Sequence, residues 1–70
     1  MECAKLKGAI VGHGRTVKET AESLNISQSA FYRKLHGKTE FRRDEINKIV
    51  DFLGLTDEET LGIFFADKVS

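Results

Sequence analysis

Residues 16–37, Thr-Val-Lys-Glu-Thr-Ala-Glu-Ser-Leu-Asn-Ile-Ser-Gln-Ser-Ala-Phe-Tyr-Arg-Lys-Leu-His-Gly, leave this chain little structural choice. Thr16 with Glu19 three residues later is a capping box, which starts a helix. Val17, Ala21 and Leu24 then fall at i, i+4, i+7 and share one face, while Lys18, Glu19 and Glu22 turn to water. Asn25 ends the helix, because a turn this short needs a residue at positive φ and Asn tolerates that best after Gly. Ile26 is expected as a plug between two helices, and Ser27 can cap the second. That second helix is expected from about Gln28 to His36, stopped by Gly37. Phe31 and Leu35, four apart, make its inner stripe. Two helices crossing at ~90–120° over a short turn approach closely, and the small Ala21 permits it.

Successive residues of a helix are about 100° apart, so Ser29, Tyr32, Arg33 and His36 cluster opposite the Phe31–Leu35 stripe, with Gln28 at its edge. An exposed polar and basic helix behind a tight turn is the shape of a helix-turn-helix DNA reader. The segment resembles the lambda-repressor and Cro-like helix-turn-helix family, the XRE type. Ala21, Leu24, Asn25-Ile26-Ser27, Gln28-Ser29-Ala30, Phe31, Leu35 and Gly37-Lys38 carry the likeness, and the Gln-Ser-Ala run looks especially like phage Cro proteins. The resemblance extends over nearly the whole chain. Asn25 replaces the usual Gly, and Phe31 the usual Ile or Val. Val17 sits where many relatives carry a base- or phosphate-contacting Gln. The resemblance implies a phage or prophage regulator in the bacterial cytoplasm. It would lay residues 28–36 into a major groove as a homodimer on a pseudo-palindromic operator, and repress by excluding polymerase.

Helical patterns continue on both sides. Residues 3–12 make a first helix, with Leu6 and Ile10 inward. A fourth spans about 42–53, where Ile46, Ile49, Val50 and Leu53 follow i, i+3, i+4, i+7, and Gly54 stops it. Phe41 should anchor its start. Thr56 and Glu59 form a second capping box, opening a fifth helix at about 57–66 with Leu61, Phe64 and Phe65 on one face. The fold class expected is all-α: one compact five-helix lambda-repressor-like domain over residues 1–70, with the helix-turn-helix at about 17–36. Seventy residues bury only ~60% of their unfolded surface, and such a core rarely supplies more than ~3–5 kcal/mol. Dimerisation would help. No apolar run is long enough to span a membrane and no signal-peptide core is evident. Cys3 is the single cysteine, so no internal disulfide forms, which fits a reducing compartment.

The net charge is zero, but it is unevenly spread. Residues 28–43 carry Arg33, Lys34, Lys38, Arg42 and Arg43 against Glu40; residues 51–70 carry Asp51, Asp57, Glu58, Glu59 and Asp67 against Lys68. The positive end coincides with the expected reading helix, as a DNA footprint requires. Gln28 and Ser29 open that helix, where Gln can pair with adenine and Ser with several bases. Arg33 is suited to guanine, and Tyr32 to a thymine methyl or a phosphate. The plainer alternatives are ordinary helix polarity, a solvated Arg33 and a Tyr32 ring packed on a neighbouring helix. The family places phosphate contacts in the loop holding Lys38, and His36 could add one. Arg42 and Arg43 sit at a helix start, where cations oppose the macrodipole. A phosphate would resolve that conflict, unless Glu40, Asp44 and Glu45 neutralise them. Lys18 is a weaker candidate of the same kind.

Phe52, Ile63 and one of Phe64 and Phe65 do not fit the inner stripes. They lie toward the acidic end and either are ordinary part-exposed residues or contribute to a two-fold interface. Leu61, Phe64, Phe65 and Val69 are the expected interface, within a dimerisation segment at 61–70. Catalysis is not expected: there is no Gly-rich phosphate loop and no nucleophilic triad, and no cofactor or small-molecule ligand is implied. Cys3, His13 and His36 lack metal-ligand spacing. The rival reading is an antitoxin-like or regulatory module that binds a protein partner through its Phe-rich C-terminal end.

Overall fold

Five α-helices follow one another: α1 (Cys3–Gly12), α2 (Val17–Ser23), α3 (Gln28–Leu35), α4 (Arg43–Leu53) and α5 (Asp57–Phe64). The computed structural model describes residues 3–65, and no strand occurs among them. The helix starts follow from side-chain capping. Thr16 Oγ1 accepts the Glu19 N–H at 3.1 Å while the Glu19 carboxylate accepts the Thr16 N–H at 2.9 Å. Ser27 Oγ accepts the Ala30 N–H at 3.1 Å. Thr56 and Glu59 repeat the reciprocal box at 3.1 and 3.0 Å. Each cap satisfies amides that have no partner inside the helix.

The stops are equally local. Asn25 takes φ 59°, so the Ile26 N–H reaches the Ala21 carbonyl at 3.1 Å and the Asn25 N–H the Glu22 carbonyl at 2.9 Å. This is a Schellman motif closed by asparagine. Gly37, at φ 79°, closes α3 in the same way, with the Lys38 N–H on the Arg33 carbonyl at 2.9 Å. α3 accordingly ends at Leu35 with His36 as its cap residue, and α5 ends at Phe64 rather than at 66.

All five helices contribute to one core. Leu6 and Ile10 come from α1, Ala21 and Leu24 from α2, Phe31 and Leu35 from α3, Ile49 and Leu53 from α4, and Ile63 and Phe64 from α5. Phe31 is fully buried. Phe41, in the α3–α4 loop, meets Phe31 and Phe64 edge-on, each at 5.7 Å between ring centroids. Such aromatic pairs contribute about 0.5–1.5 kcal/mol beyond their burial. The packing holds α3 from within by Phe31 and Leu35, leaving its other side to solvent. Ile26 is half-buried against the same core.

Two buried residues lie outside the expected inner stripes, and one expected face needs correction. Thr20 is fully buried. Its hydroxyl donates to the Thr16 carbonyl at 2.9 Å, so no polar atom is stranded and its methyl packs like valine's. Leu55, just beyond Gly54, is also buried. The correction concerns α5. Its inner stripe is Thr60, Ile63 and Phe64, at i, i+3, i+4; Ile63 and Phe64 are buried and Leu61 is 55% exposed. Ile63 and Phe64 are therefore core residues, and Phe64, expected at a dimer interface, has almost no free surface. Phe65 has left the helix and is half-buried. Phe52 is half-buried beneath Arg15, whose guanidinium lies 4.9 Å from the ring centroid. Val69 lies outside the described residues.

Candidate nucleic-acid interface

The Phe31–Leu35 anchor determines what α3 presents outward. Gln28, Ser29, Tyr32 and Arg33 are all exposed. Eight residues make a rod about 12 Å long, and a helix with its side chains is about 10–12 Å across, a width that a B-DNA major groove admits. The Tyr32 ring stacks on His36 one turn later, with centroids 6.1 Å apart and an interplanar angle of 17°. The pair makes a flat aromatic surface at the C-terminal end of the exposed face. His36 is exposed as well.

The cations expected to meet phosphates fall into two groups. Lys38, exposed, follows the Gly37 turn, and its own N–H helps close α3. Arg42 is the N-cap of α4 and Arg43 its first residue, both exposed. Arg42 Nε lies 3.7 Å from Asp44 Oδ1, with both side chains largely in water. Such a surface pair contributes ~0–1 kcal/mol and leaves the cation available. Asp44 and Glu45, the next two residues along, halve the local excess of positive charge. Lys18 is exposed in the first turn of α2, on the helix that packs on α3.

Lys34 stands apart from these. Its Nζ lies 3.1 Å from Glu45 Oε1 and 3.3 Å from the Glu40 carbonyl, and the two side chains are only 15% and 13% exposed. The ammonium also sits 6.0 Å from the Phe41 ring centroid. Lys34 therefore bridges α3, the following loop and α4 rather than adding a free charge to the outer face. Helix periodicity within α3 carries no sign of this role, because the partner lies eleven residues away across a loop.

Two features involve α5. A cleft of about 280 Å³ is lined by Phe41, Arg43, Ile46, Asn47, Thr60 and Phe65, so one residue of the expected interface borders it. Beside α5, His13 Nε2 lies 2.9 Å from Glu59 Oε2 and ties the α1–α2 turn to the start of α5. The Glu59 carboxyl is held below its ordinary value by the Thr56 backbone N–H first and by the His13 hydrogen bond second. Among the described residues, no group of three or more His, Cys, Asp or Glu side chains is placed to hold a metal ion. No described helix is long and apolar enough to cross a membrane. Comparisons with protein-family models, with curated proteins and with solved structures find no match to this chain.

Proposed function

We propose that this protein is a sequence-specific double-stranded DNA-binding regulator. On this reading α2, the Leu24–Ser27 turn and α3 form a lambda-repressor-like helix-turn-helix. The observation that carries it is the division of α3. Phe31 and Leu35 are buried, while Gln28, Ser29, Tyr32 and Arg33 stand exposed with Lys38, Arg42 and Arg43 in the segment that follows. Gln28, Ser29, Tyr32 and Arg33 read base edges. Lys18, His36, Lys38, Arg42 and Arg43 meet phosphates and set the register. Two copies would read half-sites about 34 Å apart on a pseudo-palindrome. Repression of a phage or prophage promoter is the biological role that the sequence resemblance suggests.

The test is a salt titration of binding to random-sequence duplex DNA, followed by selection of bound duplexes from a random pool. A log–log slope of several negative units is expected from phosphate contacts. Arg33→Ala should cost about 1–3 kcal/mol on the selected site and relax preference at one base position. A flat salt response, or no enriched sequence, overturns the reading.

Leu61 is 55% exposed, and this apolar side chain on α5 favours a second use of that helix. It would serve as the homodimer surface or, on the rival antitoxin-like reading, as the seat of a protein partner. Leu61→Glu leaves the core untouched and should shift sedimentation toward monomer while weakening operator binding. An unchanged dimer moves the interface elsewhere. A stable hetero-complex with no salt-dependent DNA binding favours the rival.

A further inference from the structure

We infer that Lys34 and Glu45 are positioning residues for DNA recognition, fixing the distance between the base-reading helix and the phosphate-contacting segment. The inference rests on the DNA-binding reading and deepens it. The base-reading side chains sit on α3, whereas Lys38, Arg42 and Arg43 sit in the loop beyond it and at the start of α4. A reader that must engage bases and backbone together needs those two groups held in register.

Three polar contacts close that span. Lys34 leaves α3 and donates to the Glu40 carbonyl at 3.3 Å and to Glu45 Oε1 at 3.1 Å. The same Glu45 oxygen accepts the Arg42 N–H at 2.8 Å. One carboxylate oxygen thus ties the reading helix to the backbone of the residue that begins α4. Arg42 has no side-chain acceptor, so the reciprocal half of a capping box is missing there and Glu45 is what fixes its amide. Phe41, between these anchors, packs into the core, and the Lys34 ammonium lies 6.0 Å from its ring.

The pair is poorly explained as a stability device. Drawing both heads largely out of water costs most of what their attraction returns, and well-packed apolar replacements are often as stable. What an ion pair of this geometry supplies is direction: it fixes where α4 begins relative to α3. Arg33, the preceding residue on α3, is exposed, so neighbouring side chains divide the two tasks of reading and bracing.

The test uses a duplex selected by the wild-type protein from a random pool and a random-sequence duplex of equal length. Affinities for both are measured with Lys34→Met, Glu45→Gln and Lys34→Arg, each first shown folded by circular dichroism. Lys34→Met keeps the chain packed near Phe41 and removes the charge. It should lower the selected-to-random affinity ratio about tenfold, the discrimination carried by a base contact that has lost its geometry. Its salt slope on random duplex should stay unchanged, because Lys34 touches no phosphate. Glu45→Gln still accepts the Arg42 N–H, and should lower the ratio in the same direction by less. Lys34→Arg, which keeps the charge, should recover most of the ratio.

A purely structural pair would lower the melting temperature and leave the ratio of the folded protein intact; that result overturns the inference. A slope reduced by about one unit in Lys34→Met makes Lys34 a phosphate contact and also overturns it. If Lys34→Met does not fold, Glu45→Gln decides alone. If the wild-type protein shows no salt-dependent duplex binding, both the DNA reading and this inference fall. Unaltered ratios beside a wild type that binds remove this inference only.

Discussion

α4 and α5 begin with the same device carried to different degrees. In each, a glutamate at the third helical position reaches back to the N–H of the N-cap residue: Glu45 to Arg42 at 2.8 Å, Glu59 to Thr56 at 3.0 Å. In each, that glutamate also ties its helix to a distant part of the chain, Glu45 to Lys34 and Glu59 to His13. The difference lies in the N-cap. Thr56 returns the bond by accepting the Glu59 N–H at 3.1 Å, and Asp57 and Glu58 add negative charge where the macrodipole favours it. Arg42 cannot accept, so the box is half complete, and it places a cation followed by Arg43 at the positive end of α4. Thr16, Ser27 and Thr56 all supply caps elsewhere in the chain. α5 is built for its own stability. The start of α4 also carries Asp44 and Glu45 in its first turn, but its N-cap adds a cation where a hydroxyl would cap; on the proposed reading a phosphate balances that cation.

Replacing Arg42 by Ser separates those two demands and carries the largest expected effect. The hydroxyl can accept an amide of the first turn, so thermal stability should rise by about 0.5–2 kcal/mol, the range of N-cap exchanges. Binding to random duplex should weaken and its salt slope fall by about one unit. Opposite signs in the two measurements are the signature sought. A stability gain with unchanged binding would leave Arg42 as an unneeded cation and remove the functional half of the comparison.

Thr56→Ala is the matching experiment on α5 and should be smaller in scope. The Glu59 N–H loses its acceptor, and about 1 kcal/mol of stability goes with it. DNA affinity of the folded protein should not change, because α5 carries none of the proposed contacts. Chemical denaturation beside a binding isotherm checks both halves. A fall in affinity with no change in sedimentation would make α5 part of the recognition surface.

Much of this fold is legible in the sequence because its helix ends are local. The Thr-x-x-Glu spacing at 16–19 and 56–59, Ser27, Asn25, Gly37 and Gly54 mark starts and stops without reference to the rest of the chain. The orientation of α5 is not legible in the same way. An eight-residue helix has little more than two turns, so Leu61–Phe64–Phe65 and Thr60–Ile63–Phe64 are comparable as inner stripes until a partner chooses between them. Phe41 meets Phe64 edge-on, which turns Leu61 to solvent. A signal was present all the same. Thr-x-x-Glu-Thr occurs at 16–20 and again at 56–60, and in both the last threonine returns its hydroxyl proton to the N-cap carbonyl at 2.9 Å. A threonine satisfied in that way can face inward, as Thr20 does fully and Thr60 in part. The outward face of α3 was legible as a pattern. The Lys34–Glu45 tie was not, since an ion pair across a loop leaves no periodic trace.

The smallest effect expected concerns Glu59 and acid. Its carboxyl titrates below its ordinary value because its ionised form accepts the Thr56 N–H and, second, the His13 hydrogen bond. A carboxyl depressed on folding contributes stability that is fully present above its unfolded value and is lost as pH falls through its folded value. The wild-type protein should therefore lose this contribution only on the acid side of the ordinary carboxylate range, about pH 4.3. Glu59→Gln retains an oxygen for the Thr56 N–H but does not titrate. Its stability should be slightly lower than wild type near neutrality and should converge with it on acidification, so the difference between the two curves narrows as pH drops. Both partners are substantially solvated, so the convergence is expected to be modest and to weaken with added salt. Parallel acid limbs would mean that the α5 box is held by its neutral hydrogen bonds alone.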